Sequence, residues 1–282
     1  AREIAAGEGT EAGGVCVDAR NVPALMEQSR YVKFLQDLGV DLSRDMQQVA
    51  PGAHYSLGGV KVQPPTACLG MPGVFASGEV MGGVHGANRL AGNALPETQV
   101  FGALAARESI EYLRSKSYAP VRPGDMKPRP VERGESQVWD SLCLARTRQS
   151  GRPVEELEFN LREIMQRYGA TIRTGPGLEE ALARVEKLRR TFREEMMLPV
   201  RPGVWHPELV KATELANMLE VAQALLACAL VRTETRGAHF RDDFPDRDER
   251  FDGHNFVVRG HGEKMSVFRC DRSGKEKVQV WP

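Results

Sequence analysis

The sequence predicts two architectures in series: an α/β part up to about residue 115, then an α-helical bundle from about residue 136 to 250. Three observations carry this. Before residue 115, short apolar runs alternate with Gly-rich turns. From Ser115 to Gly134 the periodicity stops, and "SYAPVRPGDMKPRPVERG" brings four Pro and two Gly, the composition of a connector. Beyond it, four successive stretches repeat apolar residues at helical spacing.

The elements follow in order. Val15–Asp18 is a short strand candidate. Pro23–Leu38 has Leu25, Met26, Val32, Leu35 and Leu38 at helical spacing, and Gly39 stops that helix. "PGAHYSLGGVKV" (51–62) reads as strand, Gly turn and strand, a hairpin. "GVFASGEV" (73–80) is an apolar strand that runs into Gly78 and Glu79. A helix is expected from about Glu97 to Arg114, with Val100, Leu104 and Ile110 apolar. The bundle helices are Gln137–Gln149, Val154–Tyr168, Leu178–Met196 and Pro207–Arg232. In the third, Leu178, Leu182, Val185, Leu188 and Phe192 share one face, and "GPG" with two early Glu marks its start. Residues 251–282 form a charged tail with short strand-like runs.

Composition excludes several function classes. Apolar residues are 41% and charged residues 27% of 282, which is ordinary for a globular chain. Lys+Arg and Asp+Glu are 38 each, so no global field draws nucleic acid. The run Val221–Val231 is interrupted by Gln223 and is too short to span a bilayer. The opening "AREIAAGEGTEAGG" has no apolar signal-peptide core. Cysteines 16, 68, 143, 228 and 270 have no CxxC or metal-ligand spacing, so no metal site is expected. Their scatter suits a reducing compartment, and a cytoplasmic location is expected. The first residues read as a helix end, a Gly-rich turn and a strand. The chain is therefore expected to be the C-terminal portion of something longer, or one half of a split protein.

Chemistry concentrates in "HYSLGG" (54–59), "FASGEVMGG" (75–83) and "HGANRLAGNAL" (85–95). Each joins a Gly-rich turn to an apolar run, which exposes backbone N–H groups. A helix N-terminus near Asn93–Pro96 favours an anionic or electron-rich group. Arg89 offers a planar fork of donors that matches a carboxylate. Glu79 can accept hydrogen bonds from ligand hydroxyls. His54 and His85 can each donate one. These residue types suit a backbone-lined pocket for a carboxylate and a cofactor, and equally a surface or salt-bridged Arg89, a structurally satisfied His54 and glycines that serve ordinary turns.

The segments "HYSLGGV", "GVFASGEVMGGVHGANRLAGNAL", "VFGALAA" and "ELANMLEVAQALLACALVRTETRGAHFRDDFPDRD" resemble the flavoprotein subunit of the succinate dehydrogenase/fumarate reductase family. The resemblance runs in consistent order up to about Val258. It implies an α/β portion of an FAD-binding domain plus the remnant of its capping domain, followed by an α-helical bundle domain. The end of the cap would be 1–40, the returning part of the FAD-binding domain 41–115, the linker 116–135, the helical domain 136–250 and the stranded tail 251–282.

The resemblance implies site roles as well. His54 matches the His that binds a dicarboxylate carboxyl group. Arg89 matches the Arg that clamps a substrate carboxylate. Glu79 matches the Glu that binds FAD, and Ala94 and Leu95 match the two residues against the flavin. The respiratory members often have Ser at position 94; Ala94 keeps the backbone N–H and loses a hydroxyl contact. The proton-shuttling Arg is expected upstream of residue 1, and Arg2 does not match it. The chain has no GxGxxG unit after an N-terminal strand, and the flavin-linking His region is absent.

The resemblance implies FAD-dependent hydride transfer between flavin and a dicarboxylate. The partners implied are that substrate, an N-terminal FAD-binding half in this or another chain, and an iron-sulfur subunit. Any membrane association would run through partner subunits. The alternatives are an L-aspartate oxidase-type enzyme portion and a non-catalytic docking subunit. In the C-terminal part, Arg236 and His239 are expected to dock the helical domain on the FAD-binding domain. Met196 and Met197 are expected in packing, and "RDDFPDRDER" as a solvated, self-neutralising loop.

Overall fold

The computed structural model describes residues 4, 7–11, 13–22, 30–116, 137–198, 206–261, 264–271 and 277–281. The chain divides into two compact units, Ala1–His54 and Tyr55–Pro282. In the first, strand β1 (Val15–Val17) pairs antiparallel with β2 (Gln47–Val49), Val15 opposite Val49. Helix α1 (Arg30–Asp37) lies between them in sequence. Val32, Leu35 and Leu42 form its small core. Gly39 ends the helix at φ +83°, with the Val40 N–H returning to the Leu35 carbonyl at 2.9 Å. The expected helix start, residues 23–29, lies outside the described residues.

The second unit opens differently from its sequence pattern. No hairpin forms across 51–62. Strand β3 (Val62–Gln63) instead pairs antiparallel with β4 (Ala67–Cys68), and the turn falls on Pro64 and Pro65. The expected Gly turn has another use. A Cβ on Gly59 would sit 2.3 Å from the Val80 carbonyl oxygen, so only glycine lets these two segments cross. Val60 bridges Met81 in parallel, and its N–H donates to the Val80 carbonyl at 2.7 Å. The run 73–80 is a single bridge at Phe75 followed by a 3₁₀ turn, Gly78–Val80, rather than a continuous strand. Cys68, Ala76 and Met81 are the buried centre, with Phe101 packed on it. Phe101 comes from α2 (Ala94–Ser115), which starts three residues before the pattern suggested.

The expected connector, Ser115–Gly134, lies almost wholly outside the described residues. After it come α3 (Gln137–Ala145), α4 (Val154–Ile164), α5 (Gly175–Glu194) and α6 (Pro207–Val231). A π-helical turn, Met165–Gly169, extends α4. Thr174 caps α5, its Oγ1 accepting from the Gly177 N–H at 3.2 Å, and Pro176 takes a first-turn position. One face of α5 (Leu178, Ala181, Val185, Leu188, Phe192) packs against Ala212, Leu215, Leu219 and Leu226 of α6. Each buried leucine contributes about 2 kcal/mol of transfer free energy. By length and composition α6 could cross a membrane. Here Ala212, Leu215, Ala216, Leu219, Ala222 and Leu226 are core, so the helix serves as the spine of the bundle.

The helical region ends at Val231. Residues 232–253 form a loop with a two-residue strand, β6 (Phe240–Arg241), parallel to β5 (Ile172–Arg173). The tail is a three-stranded antiparallel sheet of β7 (His254–His261), β8 (Lys264–Asp271) and β9 (Lys277–Trp281).

The segment "RDDFPDRDER" is not a solvated loop throughout. Arg241 is 1% exposed. Its Nε and Nη2 donate to the two Asp243 carboxylate oxygens at 2.8 and 2.9 Å. Its Nη1 donates to the carbonyls of Ala229 and Leu230 at 2.8 and 3.0 Å, at the C-terminus of α6. Asp243 Oδ2 accepts from the Gly175 N–H at 2.7 Å, at the N-terminus of α5. Arg241 holds the Asp243 carboxyl down at about 2.

His239 sits among these cations. Arg173 Nη1 lies 2.9 Å from its Nδ1, and its Nε2 lies 3.0 Å from the Arg232 carbonyl. Arginine only donates, so Nδ1 accepts and the proton sits on Nε2. Burial, together with Arg173, Arg232 and Arg241, lowers its pKa to about 4. Between that value and the ordinary 6.5, the unfolded chain takes up a proton that the folded chain refuses. Stability should therefore fall as pH drops from about 6.5 towards 4, by about 2–3 kcal/mol at most. Urea denaturation at pH 7 and pH 5 tests this. His239→Gln should flatten the dependence; an equal slope in wild type and variant would contradict the assignment.

Candidate functional site

The candidate residues lie on three loops and one helix end. Glu79 is in the 3₁₀ turn after Gly78, whose φ is +74°. It is exposed, and its Oε1 accepts the Ser56 N–H at 2.7 Å. This bond ties the Gly78–Val80 turn to the segment just after His54. His54 itself closes the first compact unit and is exposed.

Arg89 is half-buried on the loop before α2. Its guanidinium lies over the Tyr55 ring, Cζ 4.8 Å from the centroid. Nη1 donates to the Leu90 carbonyl at 3.1 Å, and Nε is buried without a partner. Among the described residues Arg89 makes no ion pair with a carboxylate, so much of its donor fork is uncommitted. Its neighbours Leu90 and Leu95 are 74% and 76% exposed, so a cationic group stands beside an open apolar surface.

Ala94 and Leu95 open α2. The Asn93 side chain makes no capping hydrogen bond. The first N–H groups of a 22-residue helix are therefore left for another acceptor. This end carries partial positive charge.

Tyr55 links the pieces, and reading the motifs for charged and ligand-type groups passed over it. Its ring carries Arg89 on one contact and meets His85 edge-on, with centroids 5.3 Å apart. Its hydroxyl reaches Glu97 Oε2 at 3.5 Å, a long contact. Burial and the negative charges of Glu97 and Glu79 raise the phenol pKa, so it stays protonated and donates. Glu97 is 6% exposed, in the first turn of α2, and its Oε1 has no partner. His85 Nε2 is also buried without a partner. The signal for Tyr55 was its place directly after His54; nothing local marks Glu97 as buried.

The structure thus brings Arg89, His85, Glu97 and Tyr55 together, with Glu79 joined through Ser56. A cation held by a ring rather than by a carboxylate keeps its charge available. Such an arrangement can bind an anionic group bidentately. Nearby, the open end of α2 can receive an acceptor-rich ring.

The C-terminal candidates have structural partners. Glu234 is fully buried. Arg236 Nε and Nη2 donate to its two oxygens at 2.8 Å each, and the Asp248 N–H donates at 3.0 Å. Arg232 Nη1 also donates to it. Burial opposes ionisation of Glu234, but these donors outweigh it and lower its pKa. The turn between Arg236 and His239 reaches the Arg89 loop: the Ala238 N–H donates to the Ala87 carbonyl at 2.9 Å.

A double-mutant cycle tests the ring–cation contact. Tyr55→Leu should cost more stability than Tyr55→Phe, which keeps the aromatic face. In an Arg89→Met background that difference should shrink by about 1 kcal/mol. No change in the difference, read by urea denaturation, would remove the contact from the site.

Comparison with known proteins gives consistent matches. Residues 158–278 match the model described as fumarate reductase flavoprotein C-term, and residues 6–95 match an FAD binding domain. One subunit of the fumarate reductase (CoM/CoB) of Methanothermobacter marburgensis is 37% identical over 247 residues, covering 86% of this chain and 43% of that protein. The fumarate reductase flavoprotein subunit of Mycobacterium tuberculosis is 32% identical, with 87% and 42% covered. Among solved structures, Mycobacterium smegmatis Sdh1 in complex with UQ1 superposes with a TM-score of 0.79 at 32% identity, covering 99% of this chain and 45% of that one. The chain spans less than half the length of each of these relatives.

Proposed function

The chain belongs to the fumarate reductase/succinate dehydrogenase flavoprotein family, whose cofactor is FAD, and from that premise we propose that it supplies the carboxylate clamp and the flavin-facing helix end of a dicarboxylate oxidoreductase. The observation that carries the reading is Arg89: half-buried, stacked on Tyr55, and without a carboxylate partner among the described residues. An arginine held this way is suited to an incoming carboxylate.

The residues present fit one part of FAD. The uncapped N-terminus of α2 offers N–H groups at Ala94 and Leu95, and Leu95 presents an exposed apolar side chain. Glu79, exposed on its turn, can accept from ribityl or ribose hydroxyls. Positions 1–282 contain no GxGxxG unit for the pyrophosphate, so this chain's share is the flavin-side end. Bound FAD supplies hydride exchange with the substrate C2–C3 bond.

The chain's own residues do the rest of their part by charge and placement. Arg89 binds one substrate carboxylate through two parallel N–H···O contacts, which fixes both position and rotation. Its charge withdraws electron density from the adjacent carbon, which favours hydride arrival in the reducing direction. His54 donates a further hydrogen bond to a carboxyl group. Tyr55 keeps the guanidinium plane in place and remains protonated. We assign no proton-delivering side chain within these 282 residues. Electron exchange with an iron-sulfur subunit, and membrane association through partner subunits, belong to the same reading.

Arg89→Lys in the full-length flavoprotein is the test, because an ammonium keeps the charge and loses the fork. kcat/KM for succinate and fumarate should fall about a hundredfold, with kcat falling too. Bound FAD should stay at the wild-type level. Wild-type kinetics in the variant would remove Arg89 from the site. Turnover of aspartate in place of succinate would move the chain to the amino-acid oxidase reading, and no turnover of either to a docking role.

A further inference from the structure

The Arg236–His239 turn stands on a fixed base. Its two ends exchange backbone hydrogen bonds, Arg236 N–H to His239 O at 2.8 Å and His239 N–H to Arg236 O at 3.0 Å. Arg236 is held by Glu234 and by Asp252, the latter at 2.6 Å. His239 is held between Arg173 and the Arg232 carbonyl. The tip, Gly237–Ala238, meets the Arg89 loop. The Ala238 N–H donates to the Ala87 carbonyl at 2.9 Å. Among the described residues the other backbone bond from outside residues 84–90 is a local one, the Asn93 N–H to the Leu90 carbonyl at 3.3 Å, so Ala238 is the loop's backbone tie to a distant segment.

Gly237 makes this approach possible. Its φ is +57°, and a Cβ there would lie 2.3 Å from the Ala87 carbonyl oxygen, 2.6 Å from its carbon and 2.9 Å from its Cβ. Those atoms are mostly backbone, so the loop itself would have to move. The loop belongs to no helix or strand, Gly86 takes φ +59°, and the loop's other ties are the side chains of His85 and Arg89 on the Tyr55 ring. Arg89 follows Ala87 by two residues.

We propose that the Arg236–His239 turn is the positioning device for Arg89, so that the C-terminal bundle decides where the carboxylate clamp stands. The substrate part of this rests on the reading of Arg89 given above. The placement part does not, because it concerns only the backbone of residues 84–92.

Gly237→Ala in the full-length flavoprotein tests both parts. Gly70→Ala is the control: Gly70 has φ +81° with no atom within 4 Å of a Cβ, so it meets the same backbone strain without a clash. Gly237→Asn is a second variant, because Asn tolerates this backbone region yet still carries the clashing Cβ. Amide hydrogen exchange over residues 84–92 reads placement. Calorimetric binding of malonate, a non-reacting dicarboxylate, and the kcat and KM for succinate read the clamp. Both Gly237 variants should exchange faster at 84–92, bind malonate on the order of tenfold more weakly and raise KM more than they lower kcat. Gly70→Ala should match wild type in all three. Wild-type exchange and malonate affinity in both Gly237 variants would overturn the proposal. Faster exchange in a protein whose wild type binds no dicarboxylate would overturn the substrate part and, with it, the clamp reading of Arg89.

Discussion

The second unit depends on one ion pair, the buried Arg241 with the solvent-facing Asp243. Two antiparallel helices, α5 and α6, leave opposite partial charges at neighbouring ends: bare carbonyls where α6 stops and bare N–H groups where α5 starts. Arg241 donates to the Ala229 and Leu230 carbonyls, while Asp243 accepts from the Gly175 N–H. The pair therefore satisfies both ends and neutralises itself. Burying the Arg241 charge is costly, and here its hydrogen bonds and the Asp243 counter-charge offset the cost. Removing Asp243 would leave the buried Arg241 without its counter-charge, at about 3 kcal/mol.

This constraint propagates through the chain segment that carries the pair. Residues 232–243 leave the end of α6 and return beside β5, through the parallel pairing of Phe240 with Ile172. The path places Glu234 in full burial, where Arg232 and Arg236 meet it. With both ends of the segment anchored, its turn is a stiff projection. Stiffness matters because its contact with Ala87 is backbone on backbone, which cannot be repacked by changing a rotamer. A helical bundle built for packing thus reaches a loop built for binding.

The binding loop follows the opposite strategy. Arg89 has an aromatic face in place of an acid, and the buried carboxylate Glu97 is turned to Tyr55. The quadrupole of a ring holds a guanidinium while leaving its donors and net charge available. A carboxylate in the same place would have neutralised the group and occupied its fork. The contrast with Arg241, whose three nitrogens all have partners, separates a structural arginine from a binding one.

Much of this was legible in sequence. The helical spacing of Leu178, Val185, Leu188 and Phe192 set the core face of α5, because a periodic pattern is a local property. The Gly-rich motifs located Glu79, Arg89 and the start of α2, because turns and helix ends also have local signatures. What the sequence could not decide was pairing across distance. Gly58–Gly59 looked like a hairpin turn, yet Gly59 is small because the Val80 carbonyl crosses it. "RDDFPDRDER" looked solvated and self-neutralising, and residues 242–247 are exposed, yet Arg241 is buried at the end of α6 and Asp243 bonds to the start of α5, which is remote in sequence. Tyr55 under Arg89, Glu97 in burial and Gly237 against Ala87 are likewise contacts between segments. Only the tertiary structure chooses them, because burial and close approach depend on which surfaces meet, and no residue's own neighbours along the chain record that.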